Sequence, residues 1–586
     1  EAAMRSSTLT FEGKDIANKC GTAQGDPLSS GLFCLTFDPV MQAIRKAAGG
    51  DAITINGCRA PTRAGFADDI NIIVKTLETA QRCLDAADKV CGDLHMRFRP
   101  KKCWYISSER GYLYIQKKKL RAVSWELACG TKDYLGVPVG EEQECVAVIK
   151  KKLHGILQTA KDLFDTGFHL QSCFLILRLC IIPQATYLVR HARGIDHLLG
   201  PFDEAIHALV AAATGVNTAD LDPRSVYMPI RYGGTGLSSL ARVRPCARLG
   251  AIANALTRGF PETKAFLWEL LDQPESSFNA LVVGLCHELG VTLDRTARVL
   301  TIPDLDKEGE VIELSAKAQG ILWERQCTPA ADAWLHDEQE KRSNLGVSLT
   351  SIRDSKGPNA FLVRFPTPLF RLECDAFAMA LQQRAGINAM SADTLYGVDC
   401  ECCDAKNIIS DDPADYSGGH YGCCKGQKVR GWRTYAHDQF TAILATAFTQ
   451  CGGSPHRVER KSFGDKVSED DFRGDVYAEL PQGTEPGRAK RLVIDVKTTQ
   501  ALAPSLRYRA ISKGKLMAVD EKIKQDKYAE RLAKGHFDQF CPFVISSTGE
   551  VGPQGVALLK RLQAAAKKTT QKTKFSAAYY IDWLAC

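Results

Sequence analysis

The feature that most constrains this chain is a doubled acid at the mouth of an apolar strand. Gly65-Phe66-Ala67-Asp68-Asp69-Ile70 sets two adjacent carboxylates between apolar flanks. Ile70, Ile72 and Val74 then alternate with Asn71 and Ile73, so a β-strand is expected immediately after them. Neighbouring carboxylates at a strand boundary repel each other and cost stability unless a cation lies between them. A divalent metal removes that cost, and two Mg²⁺ ions about 4 Å apart can activate a hydroxyl and hold a leaving phosphate. Asp411-Asp412 and Asp470-Asp471 are internal comparisons: both lie in polar surroundings with no apolar strand behind them, and read as solvated loops. A solvated turn is also the alternative for Asp68-Asp69, but the upstream sequence argues against it. Gly21-Thr22-Ala23-Gln24-Gly25-Asp26-Pro27 is a Gly-containing loop that runs into an apolar helix expected over Leu32 to Ile44. Small residues let a backbone approach a flat ligand closely.

Together these segments resemble the palm of reverse transcriptases. Ala23-Gln24-Gly25-Asp26-Pro27-Leu28-Ser29 resembles motif B, and Phe66-Ala67-Asp68-Asp69 resembles motif C. The resemblance implies that Asp68 and Asp69 are catalytic acids binding Mg²⁺ (or Mn²⁺), and that Gln24, Gly25, Asp26 and Pro27 contact nucleotide and template. Leu94 to Lys102 resembles motif D, which implies Lys101 or Lys102 beside the incoming triphosphate; a solvated basic turn is the other reading. Asp133-Tyr134-Leu135-Gly136 resembles the primer-gripping hairpin of motif E. Residues 97–121 carry Arg97, Arg99, Lys101, Lys102, Arg110, Lys117, Lys118, Lys119 and Arg121 against only Glu109, a patch suited to phosphates. The helical stretch that follows resembles the thumb of non-LTR retrotransposon enzymes, with Pro229 to Leu237 matching a Gly-Gly turn of that group. One departure matters. The family needs a third metal-binding acid upstream of motif B, and the acids before Gly21 are Glu1, Glu12 and Asp15, none in a buried strand pattern. The expectation is a fragment or a decayed copy whose polymerase is inactive as it stands.

A second cluster is metal-like. Cys400-x2-Cys403 is followed by His420-x3-Cys424, spacings that let each pair reach one tetrahedral Zn²⁺. Binding would supply the folding energy that a Gly- and Asp-rich stretch lacks. Cys402 and Cys423 are adjacent alternatives, His437 is a substitute ligand unless it begins the next helix, as expected, and unpaired loop thiols are the other reading. Retrotransposon enzymes of the group with a restriction-like endonuclease resemble this arrangement: they carry a Cys-Cys-His-Cys knuckle, followed by an Arg-His motif for which Arg433 to His437 is the counterpart.

The third constellation is Arg473-Gly474-Asp475-Val476-Tyr477 ahead of Leu492-Val493-Ile494-Asp495-Val496-Lys497. Asp495 and Lys497 share one face of an apolar strand because side chains alternate. Two carboxylates, Asp475 and Asp495, can hold Mg²⁺ while Lys497 orients or activates a water. An edge strand with a surface ion pair is the competing reading. The pattern resembles the PD-(D/E)xK fold of restriction enzymes, with Gly474 where Pro is more usual. Lys527-Tyr528 matches a downstream Lys-Tyr motif, which implies a catalytic Lys527, and Glu459 is a further metal acid on the same resemblance.

The 586 residues divide accordingly. The expected class is α+β and multidomain: a partial reverse transcriptase palm (1–142), a helical thumb (143–260), a helical linker (261–390), a zinc knuckle (391–436) and an α/β restriction-like nuclease (437–586). Within the last, the pattern predicts a helix over 437–450, a strand from Arg491 to Val496, a charged helix around 513–534 and a strand from Phe540 to Ser546. The most apolar run, Cys173 to Val189, is interrupted by Arg178, Pro183 and Gln184, so no membrane span is expected. Most of the 22 cysteines sit singly in apolar patterns, as buried thiols do. The net charge of +7 is mild, so its clustering carries the information. The resemblance implies target-primed reverse transcription: RNA-directed DNA polymerisation coupled to nicking of DNA. Its partners would be an RNA template, target DNA and deoxynucleoside triphosphates, and it would act in the nucleus. The alternative is a captured or decayed element that serves only as a nucleic-acid-binding protein or stand-alone nuclease.

Overall fold

The apolar run behind the Gly-containing loop forms helix α1, Ser29–Ala48, longer at both ends than its apolar stripe suggests. Phe37, Val40, Ile44 and Ala48 recur at helical spacing and bury against Cys83, Ala87 and Cys91 of α2, Leu77–Asp93. Thr76 caps α2 by accepting from the Thr79 amide at 3.2 Å. The computed structural model describes residues 8–11, 14–17, 29–66, 69–107, 111–124, 132–304, 307–341, 343–354, 359–363, 371–387, 427–451, 454–457, 474–480, 490–499, 501, 506, 510–511, 515–534, 537–566, 576 and 580–581.

The chain forms two units, the first comprising Glu1–Ile149, Arg190–Gly194 and Pro245–Leu322. Its strands are short and locally paired. A ribbon of β1 (Thr8–Phe11) and β2 (Lys14–Ala17) is followed by a hairpin of β3 (Arg63–Phe66) and β4 (Asp69–Ile72). Beyond α2 come β5 (Trp104–Ser107), a hairpin of β6 (Tyr114–Ile115) and β7 (Lys118–Lys119), and β8 (Arg121–Ser124), which runs parallel to β5. The hairpin of β9 (Lys132–Tyr134) and β10 (Val137–Val139) turns through Leu135 and Gly136, with φ of 48° and 81°. Two successive positive φ values make the tight turn whose twist matches a hairpin, as expected at the Tyr-Leu-Gly segment.

The linker read as helical over 261–390 also contains a three-stranded antiparallel meander, β11 (Thr292–Asp294), β12 (Val299–Pro303) and β13 (Val311–Glu313). Leu300 and Ile302 alternate into its buried side. Strands of three to five residues are too short to compete with the helical periodicity around them.

The second unit comprises Lys150–Val189, Ile195–Arg244 and Trp323–Cys586. Helix α3 (Glu142–Asp165) leads to α4 (Leu170–His191), which runs continuously through Arg178, Pro183 and Gln184. A π-turn over Leu177–Ile181 precedes Pro183, widening the backbone where the proline lacks an amide and crowds the preceding turn. By length and mean hydropathy (1.7) α4 is able to span a bilayer, while 56% of that window is buried inside the protein.

Helix α5 (Asp196–Thr214) carries a half-buried carboxylate, Asp203, that caps helix α6 (Leu240–Arg258). Asp203 accepts from the Leu240 amide at 2.8 Å, the Ala241 amide at 3.2 Å and the Ser239 hydroxyl at 2.7 Å. Burial pushes its carboxyl up and these three donors pull it back. Asp203→Ala leaves two first-turn amides without that acceptor and is expected to cost about 1–2 kcal/mol, read as a lower denaturation midpoint at unchanged slope. Nine of the fourteen described cysteines are buried, and all fourteen are free thiols, in keeping with core packing instead of disulfide stapling. Helix α7 (Cys374–Arg384) buries Phe377, Leu381 and its last residue, Arg384.

The C-terminal part of this unit is a sheet between helices. Helix α8 (Gln427–Gln450) precedes β14 (Ser454–Arg457), β15 (Val476–Leu480) and β16 (Lys490–Thr499). Helix α9 (Lys515–Ala533) connects to β17 (Gln539–Ser546), and α10 (Pro553–Ala566) follows. The strand order is β14-β15-β16-β17; the first two pairings are antiparallel and β16 with β17 is parallel. Leu492, Ile494 and Val496 face a core shared with Leu444 and Phe448 of α8 and Leu558 and Leu559 of α10. Val493 faces the opposite side, against Tyr528 of α9.

Candidate active site

Period-two alternation puts Asp495 and Lys497 on the α9 side of β16, the side of Val493. Because β16 is an interior strand and Asp495 is only 5% exposed, the edge-strand reading does not apply. Asp475 lies just before β15, and its amide donates to the Ile494 carbonyl at 2.7 Å. Its Oδ2 accepts from the Val496 amide at 2.6 Å. That pairing brings the Asp475 and Asp495 carboxyls within hydrogen-bonding reach of each other. Gly474 precedes them because a Cβ there would overlap the Val493 side chain, which accounts for glycine in place of proline.

Around the carboxyl pair stand two lysines and a histidine. Lys524 Nζ donates to Asp495 Oδ2 at 2.6 Å. Lys497 Nζ lies 2.8 Å from Asp520 Oδ1, and the Thr499 hydroxyl donates to Asp520 Oδ2 at 2.5 Å. Strand and helix thus exchange ion pairs of opposite sense, since Asp520 and Lys524 occupy one face of α9 four residues apart. His437 Nε2 lies 3.2 Å from Asp475 Oδ2, and that hydrogen bond holds the imidazole above its usual range. Burial pushes the Asp495 carboxyl above the ordinary carboxylate range; Lys524 lowers it and Asp475 raises it further.

Lys527, the lysine expected at this centre, is exposed, one turn further along α9, and the lysine that meets Asp495 is Lys524. Its neighbour Tyr528 is buried and stacks on Phe540 with centroids 4.2 Å apart. The Lys-Tyr pair therefore anchors the helix through its tyrosine. Asp520, Lys524 and Tyr528 recur every four residues, and that spacing was the available signal for the inward face. His437, expected at the start of a helix over 437–450, lies ten residues inside α8. Glu459 and the cluster Cys400, Cys403, His420 and Cys424 lie outside the described residues. Among the described residues, no group of three or more His, Cys, Asp or Glu is arranged to hold a metal.

In the first unit, the β3–β4 register pairs Phe66 with Asp69. Asp69 is exposed, while Ala67 and Asp68 lie outside the described residues. Ile70, Ile72 and Val74 pack on the α1–α2 core, and Gly65 lies against Met41 of α1. This fixes Asp69, the second of the doubled acids, at the start of a strand seated on two helices. Gln24, Gly25, Asp26 and Pro27 lie outside the described residues. Lys101 and Lys102 are exposed in a 3₁₀ turn, Pro100–Lys102. Asp15 belongs to β2, a strand hydrogen-bonded to β1 and to neither strand of the acid hairpin.

Residues 3–139 match the family model described as reverse transcriptase (RNA-dependent DNA polymerase). Those residues are similar to a reverse transcriptase domain. The acid hairpin, its two supporting helices and the Tyr-Leu-Gly hairpin all fall within the matched residues. Reverse transcriptase domains usually use Mg²⁺, and the family implies an RNA template and deoxynucleoside triphosphates. No curated protein matches the chain.

Proposed function

We propose that this chain is the polymerase-and-nuclease part of a non-LTR retrotransposon protein, in which a Mg²⁺-dependent endonuclease nicks DNA for target-primed reverse transcription in the nucleus. The observation that carries the nuclease reading is the Asp475–Asp495 pair, Asp495 buried on an interior strand and Asp475 half-buried beside it, with Lys524 and Lys497 alongside. The donor set suits Mg²⁺, because two close carboxyls under desolvation gain from a divalent cation. Asp475 and Asp495 would hold it, and the bound ion would supply Lewis-acid polarisation of a phosphate and an activated water. Lys524 offsets the charge of Asp495, Lys497 is steadied by Asp520, and His437 orients Asp475.

The test is nicking of supercoiled plasmid by the purified 586-residue chain. Mg²⁺ should convert it to the open circle and EDTA should prevent this. Absence of cleavage on every duplex tried sinks the nuclease reading and favours a nucleic-acid-binding role. For the polymerase, Asp68 and Asp69 are proposed as metal acids, with Gln24 to Pro27 and Lys101 or Lys102 at nucleotide and template. The 586 residues alone are expected to give no primer extension on an RNA template, since Glu1, Glu12 and Asp15, the acids before Gly21, show no buried strand pattern. Extension above background would overturn that. On spacing, Cys400, Cys403, His420 and Cys424 are proposed to bind one structural Zn²⁺, checked by metal content.

A further inference from the structure

Within residues 111–121 three positions are buried and the rest are exposed. Leu113, Ile115 and Leu120 are buried and share a core with Leu77, Ala80 and Leu84 of α2 and with Phe98. Tyr112, Tyr114, Lys119 and Arg121 are exposed, the two tyrosines 58% and 43% so. Tyr114 is the cross-strand partner of Lys119, and the Lys119 ammonium lies 3.0 Å from the centroid of the Tyr112 ring. The outward face of the β6–β7 hairpin is therefore aromatic and cationic together. Its tip adds Lys117 and Lys118, turning through Gln116 and Lys117 at φ of 51° and 61°.

The hairpin is rigidly mounted. The Gln81 amide pairs with the edge of β6 as a neighbouring strand would, donating to the Tyr114 carbonyl and accepting from its amide, each at 2.8 Å. Gln116 donates to Asp88 at 3.0 Å. Asp88 and Asp85 lie on α2, and residues 111–121 themselves contain no acid. Lysines alone would serve for solubility, so the two exposed rings beside them are the informative feature. Two rings flanked by four cations, Lys117, Lys118, Lys119 and Arg121, match the chemistry of a single strand: bases stack on rings while phosphates pair with ammonium and guanidinium groups.

We propose that the outward face of the β6–β7 hairpin is a binding site for single-stranded nucleic acid, with Tyr112 and Tyr114 as the stacking platform and Lys117, Lys118, Lys119 and Arg121 as phosphate contacts. The inference goes beyond the polymerase and nuclease centres and depends on neither being active. It is tested with the full chain in EDTA, where no strand is cut. Fluorescence anisotropy would follow a labelled, unstructured RNA of about 16 nucleotides, the same sequence as DNA, and its duplex. Tyr112→Ala with Tyr114→Ala should weaken single-strand binding about tenfold or more at an unchanged salt slope. Lys117→Gln, Lys118→Gln and Lys119→Gln together should lower the salt slope by about 2. Both tyrosines changed to Phe should bind like the parent, and this pair keeps the test decisive if the alanine pair folds poorly. RNA and DNA binding separately tell which strand is held. Equal binding by the alanine pair, equal affinity for the duplex, or no single-strand binding by the parent overturns the proposal.

Discussion

Asp495→Asn is expected to lower Mg²⁺-dependent nicking by about 1,000-fold, corresponding to roughly 4 kcal/mol of lost transition-state stabilisation. Asparagine keeps the shape of the side chain and an oxygen for Lys524, so the charge at the carboxyl pair is what changes. Lys524→Met is expected to reduce nicking by about 100-fold and Lys527→Met by much less, because Lys524 is the lysine 2.6 Å from Asp495. A purely structural role for the crossed ion pairs makes a different prediction. Asp495–Lys524 and Lys497–Asp520 would then matter to the melting transition, and nicking by Asp495→Asn would equal the parent's. Rates and melts measured on the same preparations separate the two. The second outcome removes Asp495 from the nuclease centre.

The elements that define the candidate site were legible where local physics dominates. The strand around Asp495, the charged helix after it and the strand from Phe540 follow from periodicity, and they appear as Lys490–Thr499, Lys515–Ala533 and Gln539–Ser546. The common face of Asp495 and Lys497 follows from alternation alone. Which residues of α9 meet that face does not, because helix phase is set by the burial of Tyr528 against Phe537 and Phe540. The Lys-Tyr motif drew attention to Lys527, whereas the face opposite the strand is Asp520, Lys524 and Tyr528. Asp475 was recognisable from its place before a strand, but its partnership with His437 needed α8 to begin ten residues earlier. The meander at Thr292–Glu313 was lost for another reason: its stability comes from pairing between segments, which short windows do not register.

Gly234→Ala should destabilise the second unit by about 3 kcal/mol or more, seen as a fall of several degrees in its melting transition. The segment Pro229 to Leu237 reverses the chain in a very small space. Gly233 and Gly236 sit at φ of 100° and 80°, and the Gly236 amide donates to the Met228 carbonyl at 3.1 Å. Gly234 is confined differently, since a Cβ there would overlap the backbone carbonyl, carbon and nitrogen of Met228, none of which can rotate aside. The turn is also clamped from outside. Arg384, at the end of α7, donates to the carbonyls of Ile230 and Gly234 and to Asn359 at 2.8 Å. Burial pushes its guanidinium down to about 9, so the charge is retained at neutral pH. A backbone shift that made room for the added methyl would pull the Gly234 carbonyl from this clamp, adding a poorly satisfied buried cation to the steric cost. Gly155→Ala in α3 is the control, because nothing lies within 4 Å of its added methyl and helix propensity should raise stability by about 0.5–1 kcal/mol. Opposite signs for the two substitutions place the cost in the turn; a melt of Gly234→Ala equal to the parent's would mean the turn opens without penalty.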